Sequence, residues 1–394
     1  MEGQLPLGAP AISLNQAEQD IAVRHLDQLS HLSFEEEAPA PSDPEDALPH
    51  GLFGSSSPYN DLVQWSKDNA AQIKEAVKNR AFGGPNGSKI QWTNAFLCFM
   101  EAATVYLRDS EKLKEARDAY NEGKFEDAFR LYSESTKQIE EIAALWGMKF
   151  HLLCDLVNAG WIRNGPYCGA FYSEDPDAPF MGVVFKGTNI RSIKDIIADI
   201  DIFTVQSGDV LYNTTVSRGV FKGMFDVFKQ GQAYDLIRKG LNDLIPNIPN
   251  KKKIPVVTHV AGHSLGGSYS NMCFTQFTVP RVLPPLGVLG DLYTFGCPRI
   301  GYKDFAEAMK DHLGEQTGSA WRIANAKDPV TQVPPVYSTG SPFNHVDVGY
   351  RLNGSNQPEL LPTEIGTLTH GLEGIPSFTP HYATTYHANL QKVL

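Results

Sequence analysis

The residues from Ile254 to Ser270, IPVVTHVAGHSLGGSYS, carry the clearest chemistry in the chain. An apolar run rich in β-branched residues leads into Gly262-His263-Ser264-Leu265-Gly266-Gly267, a GxSxG pattern between a predicted strand and a predicted helix. A sharp turn in that setting holds the serine in a strained conformation with its hydroxyl projecting, and Gly262 and Gly266 leave room for close approach. With 34 glycines in 394 residues, a bare GxSxG arises by accident in roughly one such chain in five. The preceding strand and the fuller GHSLGG are therefore what separate a nucleophile from a glycine-rich turn with an exposed serine.

A serine hydroxyl attacks only when a base takes its proton and an acid steadies that base, and in this turn type the partners follow in the order serine, acid, histidine. Asp328 lies after the strand-like part of AWRIANAKDPVTQVPP and before Pro329, a position suited to orienting an imidazole. Asp291 precedes its strand, and Asp304 and Asp311 lie on a predicted surface helix, where solvation explains them. Four histidines follow. His381 opens the terminal HYATTYHANL and leads as the base, with His387 and His345 as alternatives and His370 in a Gly-rich loop.

These groups need elements to hold them. Short β-rich runs at Ala170–Tyr172, Phe180–Phe185, Ile254–Val260, Leu292–Phe295, Trp321–Ile323 and Val346–Tyr350 alternate with helical stretches, which predicts a mainly parallel sheet. Before them, Leu62, Trp65, Ala70, Ile73 and Ala76 recur at helical spacing, and at least four helices are expected before Trp161. Ala119–Ser135 resembles half of a tetratricopeptide unit, but without a second copy it reads as an ordinary helical hairpin. The acidic, proline-rich Glu35–Gly51 cannot bury enough surface to offset ordering. The expected organisation is a disordered leader over 1–57, a helical extension over 58–159 and a catalytic α/β domain over 160–394.

Composition narrows the function. A net charge of −11 points away from general nucleic-acid binding. The most apolar stretch, Ile90–Leu107, is interrupted by Gln91, Asn94 and Glu101 and reads as a buried helix rather than a membrane span. The amino terminus lacks the basic start and apolar core of a secretory signal, and five scattered cysteines without a CxxC pair suit reduced thiols, so the expectation is cytosolic. Sequons at Asn86, Asn213 and Asn353 matter only in a secretory compartment.

Taken together, the residues resemble the class 3 lipases of the α/β-hydrolase fold. The matching pieces are Phe185-Lys186-Gly187-Thr188, Gly262–Gly267, Thr294–Gly301, Asp328-Pro329-Val330 with Val333-Pro334, His345–Gly349, and His381 with Tyr386. The resemblance implies an α/β-hydrolase fold with a mainly parallel central sheet behind a helical N-terminal extension. It implies Ser264 as nucleophile, Asp328 as acid and His381 as base, and takes His345 out of the triad. It further implies Thr188 and the backbone N–H of Leu265 as the oxyanion donors. A lid is implied over Asn189–Phe203, where Ile193, Ile196, Ile197 and Ile200, with Ile190, form one helical face. Two departures stand out: Lys186 where the family often has arginine, and Ser217 where it usually has histidine. The implied activity is hydrolysis of acylglycerol esters, by a lipase meeting its lipid ester substrate at a lipid–water interface with no metal or organic cofactor. A phospholipid or aromatic-ester hydrolase, or a lipase-like binding protein, would fit the same scaffold.

Overall fold

In the computed structural model the described residues are 15–34, 51–82, 89–156, 161–162, 165–187, 203–227, 231–280, 282–313, 318–334, 343–346, 348–361 and 377–394. Their centre is an eight-stranded sheet: β1 (Met148–Asp155), β2 (Tyr167–Ser173), β3 (Phe180–Lys186), β4 (Val256–His263), β5 (Gly287–Phe295), β6 (Ala320–Asn325), β7 (Val348–Leu352) and β8 (Glu359–Leu360). The strands cross the sheet in unbroken sequence order. β3 to β7 pair in parallel, whereas β1 and β2 on one edge and β8 on the other are antiparallel. This is the mainly parallel α/β sheet expected of an α/β hydrolase.

Both faces of the sheet are covered, so its strands are buried on both sides, as parallel strands require. Alternation along β3 shows the split. Phe180 and Val184 point into one apolar cluster, Met181, Val183 and Phe185 into the other. The second cluster receives the helices that connect the parallel strands: α7 (Arg218–Phe225), α8 (Ala233–Leu244), α9 (Leu265–Phe277) and α10 (Lys303–His312). The first receives α2 (Pro58–Asp68), α3 (Ala70–Lys78), α4 (Trp92–Thr104), α5 (Ser110–Asn121), α6 (Phe125–Leu145) and the terminal α11 (Ala383–Leu390).

That arrangement corrects the expected boundaries. The helices of 58–159 are not an appendage, because α4 lies directly on this face of the sheet. Every one of its residues from Asn94 to Thr104 is buried, against Phe180, Val184, Ala261 and Phe295 among others. Nor does the catalytic unit begin at 160, since β1 is already an edge strand of the sheet.

The leader expected over 1–57 is also corrected where it is described. Before α2, α1 (Gln16–Ser30) opens on a capping box: Asn15 Oδ1 accepts from the Glu18 N–H at 3.0 Å, and Glu18 Oε2 accepts from the Asn15 N–H at 2.9 Å. Its Ile21, Ala22, Leu26 and Leu29 are fully buried. Its His25 Nε2 donates to Asp155 Oδ2 at 2.8 Å, while Arg108 pairs with Asp155 Oδ1 at 2.7 Å. Burial alone would push the Asp155 carboxyl up, but the Arg108 charge and the His25 hydrogen bond hold it down at about 2. An amphipathic helix that buries apolar side chains and satisfies a buried carboxylate is part of the fold; the proline-rich segment 35–50 lies outside the described residues.

Candidate active site

The turn between β4 and α9 places Ser264. Its φ of 59° and ψ of −133° lie in a region that an L-residue occupies only when its surroundings hold it there. Two backbone bonds fix the turn: Ser264 N–H to Phe295 O at 2.9 Å, and Gly267 N–H to Ser264 O at 2.9 Å. The glycines are sterically required. A Cβ on Gly266 would collide with the Phe185 carbonyl oxygen, and one on Gly262 with the Gly266 backbone.

His381 enters from the last turn before α11 and Asp328 from the turn after β6. The Ser264 hydroxyl lies 2.9 Å from His381 Nε2, and His381 Nδ1 lies 3.0 and 2.9 Å from the two Asp328 oxygens. All three side chains are fully buried. A ring nitrogen facing a carboxylate carries the proton, so Nδ1–H donates to Asp328 and leaves Nε2 free to accept from Ser264. Asp328 is further tied by the Tyr386 hydroxyl, which donates at 2.7 Å, and by the Val330 N–H at 2.9 Å. Tyr386 is itself fixed by the Asn325 N–H at 3.0 Å. Gly296, at φ 59°, lets the chain pass the imidazole: a Cβ there would sit 2.8 Å from His381 Cε1 and 2.9 Å from Asp328 Oδ2.

The chemistry this geometry permits is proton transfer from Ser264 to a neutral imidazole whose cationic form is stabilised by a buried carboxylate. Leu265 opens α9, so its N–H has no partner within the helix and lies at the positive end of the helix dipole. Thr188 and the lid residues Ile193, Ile196, Ile197 and Ile200 lie outside the described residues.

The alternative acids and bases sit elsewhere. His387 stacks on Trp65 with ring centroids 3.8 Å apart, and burial pushes its pKa down to about 4. His345 Nε2 lies 2.7 Å from the Thr331 carbonyl, and burial beside Arg322 and Arg299 keeps the ring neutral. His370 lies outside the described residues. Asp291 accepts from the Ser319 N–H and the Tyr293 hydroxyl, and Asp304 from Thr215.

Lys186 is 2% exposed, and its Nζ donates to the carbonyls of Gly165 at 3.2 Å and Gly187 at 3.1 Å, while burial pushes its pKa well below the ordinary lysine value. Ser217, in place of the family's histidine, is buried, with its N–H bonded to Ile300 O at 2.7 Å.

Two other features lie apart from the triad. Cys98, Glu101 and His259 bring potential metal-binding atoms within 4.8 Å of one another in the described residues. There, however, His259 Nε2 and Glu101 Oε2 already hydrogen-bond at 2.6 Å, an interaction that pins α4 to β4. A cavity of about 380 Å³ is lined by Arg299, Arg322, Lys327, His345 and Arg351 among others, and by none of Ser264, Asp328 or His381.

Comparison with known proteins bears on the same region. The profile of the family described as Lipase (class 3) matches residues 182–338. A triacylglycerol lipase OBL1 of Ricinus communis is 25% identical over 242 residues, covering 52% of this chain and 45% of that protein. A secreted mono- and diacylglycerol lipase 1 of Fusarium solani is 34% identical over 95 residues, 24% of this chain and 25% of that one. The chain thus spans less than half the length of either relative. Among solved structures, lipase II from Rhizopus niveus aligns with a TM-score of 0.45 at 18% identity, covering 74% of this chain and 95% of that one.

Proposed function

From the membership of residues 182–338 in the class 3 lipase family, we propose that the chain is a serine carboxylester hydrolase releasing fatty acids from acylglycerols. The observation that carries this reading is the continuous hydrogen-bond path from the Ser264 hydroxyl through His381 to Asp328.

In the proposed cycle Ser264 Oγ attacks the ester carbonyl as His381 Nε2 takes its proton. Asp328 stabilises the imidazolium, held in place by Tyr386 and Val330. The oxyanion is received by the Leu265 N–H and by Thr188, donors aimed at charge present only near the transition state; one such donor is worth roughly 3 kcal/mol. His381 then protonates the departing alcohol, and afterwards activates the water that frees the fatty acid from Ser264.

The substrate class draws support from the relatives, which are a triacylglycerol lipase and a mono- and diacylglycerol lipase. Full burial of Ser264 supports a site that opens on contact with lipid. Five buried free cysteines support a reducing compartment, and no described helix is long and apolar enough to cross a membrane.

The test is titrated fatty-acid release from a short-chain triacylglycerol across its solubility limit, with Ser264→Ala protein as the blank. A rate that jumps as droplets form supports a lipase opening at an interface. A smooth saturating curve below the limit means a soluble esterase, and no release removes acylglycerols as the substrate.

A further inference from the structure

We propose that Tyr106 and His263 are positioning residues that steady the catalytic base His381 through one directed chain of hydrogen bonds. The proposal rests on the serine-hydrolase reading above.

Its direction follows from the partners. His263 Nε2 lies 3.0 Å from the His381 carbonyl oxygen, which only accepts, so Nε2 carries the proton. Burial and the neighbouring His381 push the His263 pKa well below that of a free imidazole, so the ring is neutral and its Nδ1 is an acceptor. The group facing Nδ1 is the Tyr106 hydroxyl at 3.3 Å, which must donate. The Tyr106 oxygen also packs against Gly187, where an added Cβ would sit 3.0 Å from it. The chain therefore runs from Tyr106 O–H to His263 Nδ1, and from Nε2–H on to the carbonyl of His381.

Beside Tyr106, the Gly187 carbonyl accepts from Lys186 Nζ at 3.1 Å. At the far end the His263 and His381 rings stack with centroids 4.8 Å apart. His263 also adjoins Ser264 in the chain, so this one ring touches both the base and the nucleophile's turn. None of this is needed to hold the triad's own hydrogen bonds. Its effect is to fix the His381 main chain relative to the turn that carries Ser264, which matters in the transition state and not for substrate binding.

The experiment compares kcat and KM on an emulsified short-chain triacylglycerol for the full chain and for Tyr106→Phe, His263→Leu and the double variant, with Ser264→Ala alongside. Each single variant is expected to lower kcat about tenfold, the scale of one hydrogen bond, with KM within about twofold. The double variant should be no worse than the poorer single one, because both break the same chain. Tyr106→Phe removes a single oxygen, so it decides the matter should His263→Leu not fold. Turnover of Tyr106→Phe within twofold of the parent, or losses that multiply in the double variant, overturns the proposal. Turnover retained by Ser264→Ala instead overturns the serine-hydrolase reading itself.

Discussion

Replacing His25 with alanine tests whether the amino-terminal helix is an integral part of the catalytic fold. Asp155 is fully buried between His25 and Arg108, and its carboxyl is held at about 2 rather than the ordinary 3.8. That displacement is worth about 2.4 kcal/mol of folding free energy at neutral pH. His25 supplies part of it, and its removal also leaves a buried carboxylate oxygen short of a donor, at a cost of about 1–3 kcal/mol. The expected loss for His25→Ala is therefore about 3 kcal/mol near pH 7. It would be read from urea unfolding followed by tryptophan fluorescence. Because the folded pKa is the depressed one, the contribution is complete above about pH 4 and fades as pH falls towards 2. The difference between parent and variant should narrow over that window. A loss under about 0.5 kcal/mol at neutral pH would refute the claim that α1 is docked through the His25–Asp155 hydrogen bond. On the same reasoning, deleting residues 1–57 is expected to unfold the chain, contrary to the leader expected from sequence.

Tyr386→Phe should keep the fold and lower kcat about tenfold, since the buried Asp328 loses a 2.7 Å donor and its grip on His381; an unchanged kcat would count against the hydroxyl as a support of the acid. Gly266→Ala should cost more than about 3 kcal/mol or abolish folding, because the added methyl meets the Phe185 backbone rather than a movable side chain; soluble, fully active protein would contradict the packing of the turn. His381→Ala should lose turnover by about a thousandfold or more, whereas His387→Ala should affect stability alone by removing the Trp65 stack. The reverse pattern in that pair would move the base to His387.

The parts of this molecule that were readable from sequence are those encoded by local steric need. The elbow announces itself because Gly262 and Gly266 are demanded by backbone atoms within a few residues or on the adjacent strand. The six predicted strands all fall on β2 to β7, with ends moved by a few residues, because each is a short β-branched or aromatic run bounded by turn residues. What stayed hidden depends on distant partners. β1, MKFHLLCD, has no alternation to mark it, since seven of its eight residues are buried, and it follows directly on α6. α1 contains His25, Arg24 and Asp20 and looks like a solvated helix until Asp155 and Asp243 are brought to it. The bond between Tyr106 and His263 joins residues 157 positions apart, so no spacing in the sequence signals it. The Lys186 clamp had a signal, a buried lysine closing an otherwise apolar strand, whose meaning depended on which carbonyls lay beside it.

The central claim is that Ser264 is a nucleophile activated by His381. It is tested most directly by treating the protein with a phosphonate ester that mimics the tetrahedral acyl intermediate and locating the adduct by peptide mass spectrometry. One adduct per chain is expected, on Ser264, formed in step with loss of ester hydrolysis and greatly slowed in His381→Ala. An adduct on another residue, or hydrolysis that survives full modification of Ser264, would contradict it.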